Sequence, residues 1–148
     1  MTKTLYEART THDRVRGVLC EALGVDEEEV VPEATLQADL GAESIDFLDI
    51  VFRCEREFKI TMRPKRRISD VFPTAWEGLD DERFCVGANP YSANSHGRLT
   101  DDGLAKLQKD YPLLDLNGFD RSNTTEELYE KETVDYLVRY IDAKLNKR

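Results

Sequence analysis

The sequence predicts an all-α protein, a helical bundle with a mostly helical or irregular inserted lobe, and two observations carry that prediction. Apolar residues recur at helical spacing in three separate stretches, about residues 12–23, 44–59 and 133–145. Between the second and third lie some sixty residues rich in aromatics and turn formers. The 148 residues suit one domain, spanning 1–148, with a core at about 11–60 and 124–145 and an insertion at about 61–123.

In the first stretch Val15, Val18, Leu19, Ala22 and Leu23 fall on one helical face. Thr10 and Asp13 have the spacing of a capping box, and Gly24 supplies a stop. Val25 to Glu43 reads as a long acidic loop containing Pro32 and Gly41, anchored by Val30, Val31, Leu36 and Leu40. The second helix is expected over Ser44 to Lys59. Ile45, Leu48, Val51, Phe52 and Phe58 form its apolar side, widened by Phe47, Ile50 and Cys54.

Beyond Ile60 the basic knot Arg63 to Arg67 reads as a solvated loop, and Pro73 to Trp76 as the opening of a short helix. Asn89 to Gly97 is a loop by composition. Thr100 to Tyr111 is a helix capped by Thr100, with Leu104 and Leu107 inside and Pro112 after it. The last helix starts near Thr125 or Thr133 and runs to about Leu145 on Val134, Leu137, Val138, Ile141 and Leu145. Phe72, Trp76, Phe84, Tyr91, Tyr111 and Phe119 predict a folded lobe beside a bundle that stands without it. Packing on the bundle, shielding of a bound chain and recognition of a dedicated partner are the roles open to it.

The formal net charge is −9, and most of it sits in one segment. From Asp26 to Ile60, eleven acids face only Arg53, Arg56 and Lys59. Such a field disfavours nucleic acid and anionic membranes and attracts basic protein surfaces. No apolar run is long enough to cross a bilayer, and Met1 to Arg9 show no secretory pattern. Cys20, Cys54 and Cys85 form no CxxC pair and read as reduced thiols of a cytoplasmic protein.

Enzymatic readings find little support. A hydrolase elbow needs glycines where Ala42 and Asp46 flank Ser44, and the only histidines, His12 and His96, lie in no catalytic setting. A calcium loop from Asp115 through Asn117 to Glu126 has Phe119 and Asp120 where an oxygen ligand and a glycine are needed. Cys85 and His96 are too few for zinc.

The informative string is Asp39-Leu40-Gly41-Ala42-Glu43-Ser44-Ile45-Asp46, opening the second helix. It resembles the attachment site of acyl carrier proteins, D-L-G-A-D-S-L-D, with Glu43 and Ile45 as departures. The tail from Thr133 to Ile141 is similar to that family's last helix. The resemblance covers about half the chain.

It implies a non-catalytic protein carrying acyl groups as thioesters on 4'-phosphopantetheine at Ser44, with Asp39, Leu40 and Gly41 as the motif. Implied partners are a phosphopantetheinyl transferase, with coenzyme A as donor, and acyl-handling enzymes of fatty-acid, polyketide or lipid-modifying pathways. Their basic patches would meet Glu43, Ile45, Asp46 and Asp49 on a monomer. A peptidyl carrier, or an interaction module working without the arm, are the alternatives. The acidity of the loop and second helix favours the acyl class.

Physical chemistry agrees with the resemblance at Ser44. A serine where a loop becomes a helix exposes its hydroxyl beside unpaired N–H groups, and a phosphodiester there sits at the positive end of the helix dipole.

Overall fold

The computed structural model describes residues 10–87 and 97–147. The sequence expectations for Met1 to Arg9, for the loop from Asn89, and for Tyr91 and His96 concern residues outside the described ones. Four α-helices frame the described fold: α1 (Thr11–Leu23), α2 (Ser44–Phe58), α3 (Asp101–Asp110) and α4 (Val134–Asn146). Helix α1 packs against both α2 and α4.

Local chemistry sets the boundaries of α1. The Thr10 hydroxyl accepts from Asp13 N–H at 3.0 Å, and Thr10 N–H donates to the Asp13 carboxylate at 3.3 Å. Gly24 ends the helix in the left-handed region at φ 69°. Val15 and Leu19 are fully buried, and Arg14 ties α1 to α2 by donating to the Glu57 carboxylate at 2.9 Å.

The loop to α2 makes a short 3-10 turn at Glu27–Glu29 and then drops Val30, Leu36 and Leu40 into the core. Val31 is not an anchor. It is 44% exposed: the chain turns at Val30, where Val31 N–H donates to the Glu29 carbonyl at 3.1 Å, and Val30 takes the inward position.

The apolar side of α2 also needs correction. Its buried stripe is Phe47, Ile50, Val51, Cys54 and Phe58, at i, i+3, i+4, i+7 and i+11. Ile45, Leu48 and Phe52 form a second stripe, 78%, 37% and 47% exposed. The sequence offers two apolar stripes, and the neighbours of α2 cover only one.

The inserted region is built from 3-10 turns at Ile68–Asp70, Pro73–Ala75 and Glu77–Asp80, a two-stranded sheet, and α3. That sheet, β1 (Cys85–Val86) with β2 (Arg98–Leu99), is antiparallel and was not anticipated by the all-α expectation. Thr100 caps α3 by accepting from Gly103 N–H at 3.0 Å. A Cβ at Gly103 would meet the Phe84 carbonyl oxygen at 2.0 Å, so this approach of α3 to the loop requires glycine. Leu107 is buried as expected, whereas Leu104 is half-buried.

The lobe shares one core with the helices. Met62, Val71 and Phe72 are fully buried among residues of α1, α2 and α4, and the Phe72 ring meets Phe47 edge-on at 4.8 Å. Trp76, Tyr111, Leu114 and Phe119 belong to the same cluster, and Phe84 packs on it half-buried. Three tyrosine hydroxyls grip the segment after α2. Tyr111 donates to the Ser69 carbonyl and Tyr136 to that of Val71. Tyr140 donates to the carbonyls of Met62 (2.8 Å) and Asp70 (3.1 Å). The chain then forms a 3-10 segment at Thr125–Lys131 before Thr133 caps α4, accepting from Tyr136 N–H at 3.1 Å. The two start points left open by periodicity are thus two separate elements.

Candidate functional site

Each residue of the Asp39 to Ala42 string has a physical task in presenting Ser44. The Asp39 carboxylate accepts from Thr35 N–H at 2.8 Å and from its hydroxyl at 3.2 Å, while Asp39 N–H donates back to Thr35 Oγ1 at 3.1 Å. That reciprocal pair closes the turn. Leu40 anchors the turn in the core at 4% exposure. Gly41 takes φ 76°, where a side chain would be strained, and its N–H reaches the Gln37 carbonyl at 2.9 Å. Ala42 is buried, and its N–H donates to the Leu36 carbonyl at 2.8 Å.

This turn is itself clamped to the foot of α4. Leu36 N–H donates to the Glu132 carbonyl at 3.1 Å, and Val134 N–H to that of Ala34 at 2.9 Å. The N-termini of α2 and α4 therefore lie at the same end of the bundle.

Ser44 is the first residue of α2 and is exposed, as are Glu43 and Ile45. Its hydroxyl makes no hydrogen bond among the described residues and stands free for substitution. Asp46 is half-buried and its carboxylate accepts from Glu43 N–H at 2.8 Å, so it serves the cap as well as the surface. Asp49 is half-buried and pairs with Arg53 Nε at 2.9 Å, and Arg53 also reaches Glu21 at 3.5 Å. The acidic face is real, but Arg53 already engages part of it.

Beside the motif turn lies a cleft of about 210 Å³ lined by Thr35, Gln37, Ala38, Tyr129 and the carboxylates of Glu126, Glu127 and Glu130. Tyr129 also faces Phe47, at 6.3 Å between ring centroids.

All three cysteines are free, and burial pushes the Cys54 thiol up to about 12, so it stays protonated. Among the described residues no group of three or more His, Cys, Asp or Glu is placed to hold a metal ion. No described helix is long and apolar enough to cross a membrane. His12 is half-buried on α1.

Sequence reasoning missed Thr35, whose spacing to Asp39 is the available signal, and Glu132, for which local sequence offers none. It also treated Arg63 as solvated. That side chain is only 14% exposed, with its guanidinium 4.5 Å from the Phe52 ring centroid and 3.4 Å from the Glu55 carboxylate.

Residues 13–69 match the family model described as phosphopantetheine attachment site. The matched stretch holds α1, the motif turn, all of α2 and the gripped segment up to Ser69. An acyl carrier protein from Karelsulcia muelleri (strain GWSS) is similar to this chain, 43% identical over 47 residues. The aligned stretch is 32% of this chain and 57% of the relative, so the chain spans little more than half the length of the curated relative it matches. Over the matched residues the chain is similar to phosphopantetheine attachment domains, a class that takes 4'-phosphopantetheine as a covalent group. Over the aligned stretch this chain is similar to acyl carrier proteins.

Proposed function

We propose that the chain carries acyl groups as thioesters on 4'-phosphopantetheine joined through a phosphodiester to Ser44, and that it acts as a carrier, not a catalyst. The observation that carries this reading is the presentation of Ser44. An exposed, unengaged hydroxyl heads α2, behind a turn whose every residue is held by the core or by backbone hydrogen bonds. The N–H groups of the first helical turn and the helix dipole favour an anionic phosphodiester there. When bound, the group supplies the thiol that forms the thioester. The residues of this chain orient the attachment point and present the surface that partners read.

Intact mass after incubation with coenzyme A, magnesium and a broad-specificity phosphopantetheinyl transferase tests the proposal. The wild type gains one phosphopantetheine, and Ser44→Ala gains none while keeping its helical circular dichroism. A folded wild type of unchanged mass sinks the reading, and modification of Ser44→Ala moves the site elsewhere.

Glu43, Ile45, Asp46 and Asp49 are the residues a partner meets on its way to Ser44, and fatty-acid, polyketide or lipid-modifying enzymes are the acyl handlers this surface suits. We expect Asp46→Lys with Asp49→Lys to raise the apparent KM of the transferase several-fold, with little change in kcat. Wild-type turnover weakens as salt rises, since surface charges are screened within about 8 Å at physiological ionic strength. An unchanged KM returns both residues to a merely solvated face.

A further inference from the structure

The outer face of α2 is bipolar. Ile45, Leu48, Asp49, Phe52 and Arg56 fall at i, i+3, i+4, i+7 and i+11, one side of the helix. Toward Ser44 the apolar stripe is flanked by Glu43, Asp46 and Asp49. Beyond Phe52, Glu55 is paired with Arg63 and Glu57 with Arg14, so the charge left over at that end is cationic. Arg56 is exposed one turn on and has no ion pair among the described residues.

The insertion adds to that cationic end. Arg63 lies against Phe52, and its guanidinium donates to the Arg66 carbonyl at 3.4 Å. Arg66 closes this turn by donating its N–H to the Arg63 carbonyl at 3.0 Å, in the left-handed region at φ 59°, with its side chain exposed and without an ion pair among the described residues. From Ile45 to Arg56 the helix rises about 16 Å. That is about twice the screening length at physiological salt, so a partner meets two separate charge patches and not one averaged field.

Resting on the carrier reading above, we propose that this face docks a protein partner whose own surface is bipolar. Basic groups approach Ser44, an apolar contact covers Leu48 and Phe52, and carboxylates about 16 Å away meet Arg56 and Arg66. A uniformly basic surface satisfies the acidic end and is repelled at the other. The insertion thereby selects among partners through Arg66, whose turn is seated by Arg63, without touching Ser44.

Two labelled helical peptides with the same apolar face test this by fluorescence anisotropy on the full chain. One is basic at one end and acidic at the other, and the second is basic throughout. Arg56→Glu with Arg66→Glu should weaken the bipolar peptide about ten-fold and tighten the basic one. Phosphopantetheinylation of the same variant stays within about two-fold of wild type. Arg56→Gln with Arg66→Gly, which keeps a residue suited to positive φ, should weaken the bipolar peptide and tighten the basic one by smaller factors, and serves should the first variant fail to fold. If both peptides shift in the same direction, or neither shifts, the proposal is wrong. Binding to phosphatidylglycerol vesicles that the double reversal abolishes also overturns it, in favour of a membrane contact. Failure of the carrier reading shows separately, as absent mass gain at Ser44.

Discussion

A chain whose segment Met62 to Asn123 is replaced by a short polar linker will not fold, and its urea transition and near-ultraviolet circular dichroism will be lost. The shared core argues against the expectation of a bundle that stands alone. The replacement removes fully buried Met62, Val71 and Phe72, and with them Trp76, Tyr111, Leu114 and Phe119 of the same core. It also strips the carbonyl acceptors from Tyr136 and Tyr140, leaving hydroxyls that α4 cannot satisfy alone. A finer probe is Phe72→Ala, which opens a cavity against Phe47 and should cost about 3–5 kcal/mol in denaturant unfolding. A cost below about 1 kcal/mol would mean that the lobe is only laid on the bundle.

Glu132 makes stability depend on pH in an unusual direction. Its side chain is fully buried, and both oxygens reach the Thr74 hydroxyl at 2.9 Å while one accepts Thr74 N–H at 3.0 Å. Burial pushes its carboxyl up to about 7, and the Thr74 hydrogen bonds offset only part of that. The folded chain therefore holds a proton that the unfolded chain gives up at lower pH. The contribution is fully present below the ordinary glutamate value and is lost as pH rises through about 7. It amounts to about 3 kcal/mol between pH 4.5 and 8. Glu132→Gln keeps an acceptor for Thr74 N–H and cannot ionise. Unfolding free energies should show the variant losing less stability than wild type over that interval, and equalling or exceeding it at pH 8. Parallel curves for the two proteins would show that Glu132 is ionised throughout. Carboxylates held low by hydrogen bonds, such as Asp13 and Glu127, titrate in both proteins and cancel in the comparison.

Elements governed by local chemistry could be read directly from the sequence. Thr10, Asp13 and Gly24 bound α1, Thr100 caps α3, and Gly41 takes the conformation its position demands. The attachment string was legible because its residue types serve a turn closed almost entirely within itself. Choices that depend on what packs where were not. Periodicity allows two apolar stripes on α2, and only the placement of α1 and Phe72 decides that Phe47 turns inward and Ile45 outward. Glu132 reads as a surface acid until Thr74, distant in the chain, is seen to enclose it. Arg63 reads as part of a charged knot until Phe52 and Glu55 give it a seat.

The way the three tyrosines hold the segment after α2 leaves room for divergence. Their hydroxyls bond main-chain oxygens of Met62, Ser69, Asp70 and Val71, atoms that every amino acid possesses. Lys65, Arg66 and Arg67 can therefore be exchanged for other residues while the grip persists, provided position 66 tolerates positive φ. The stretch works as an interchangeable cassette on a fixed mount. A library randomised there samples new surfaces beside α2 while leaving the Ser44 turn and its anchoring untouched.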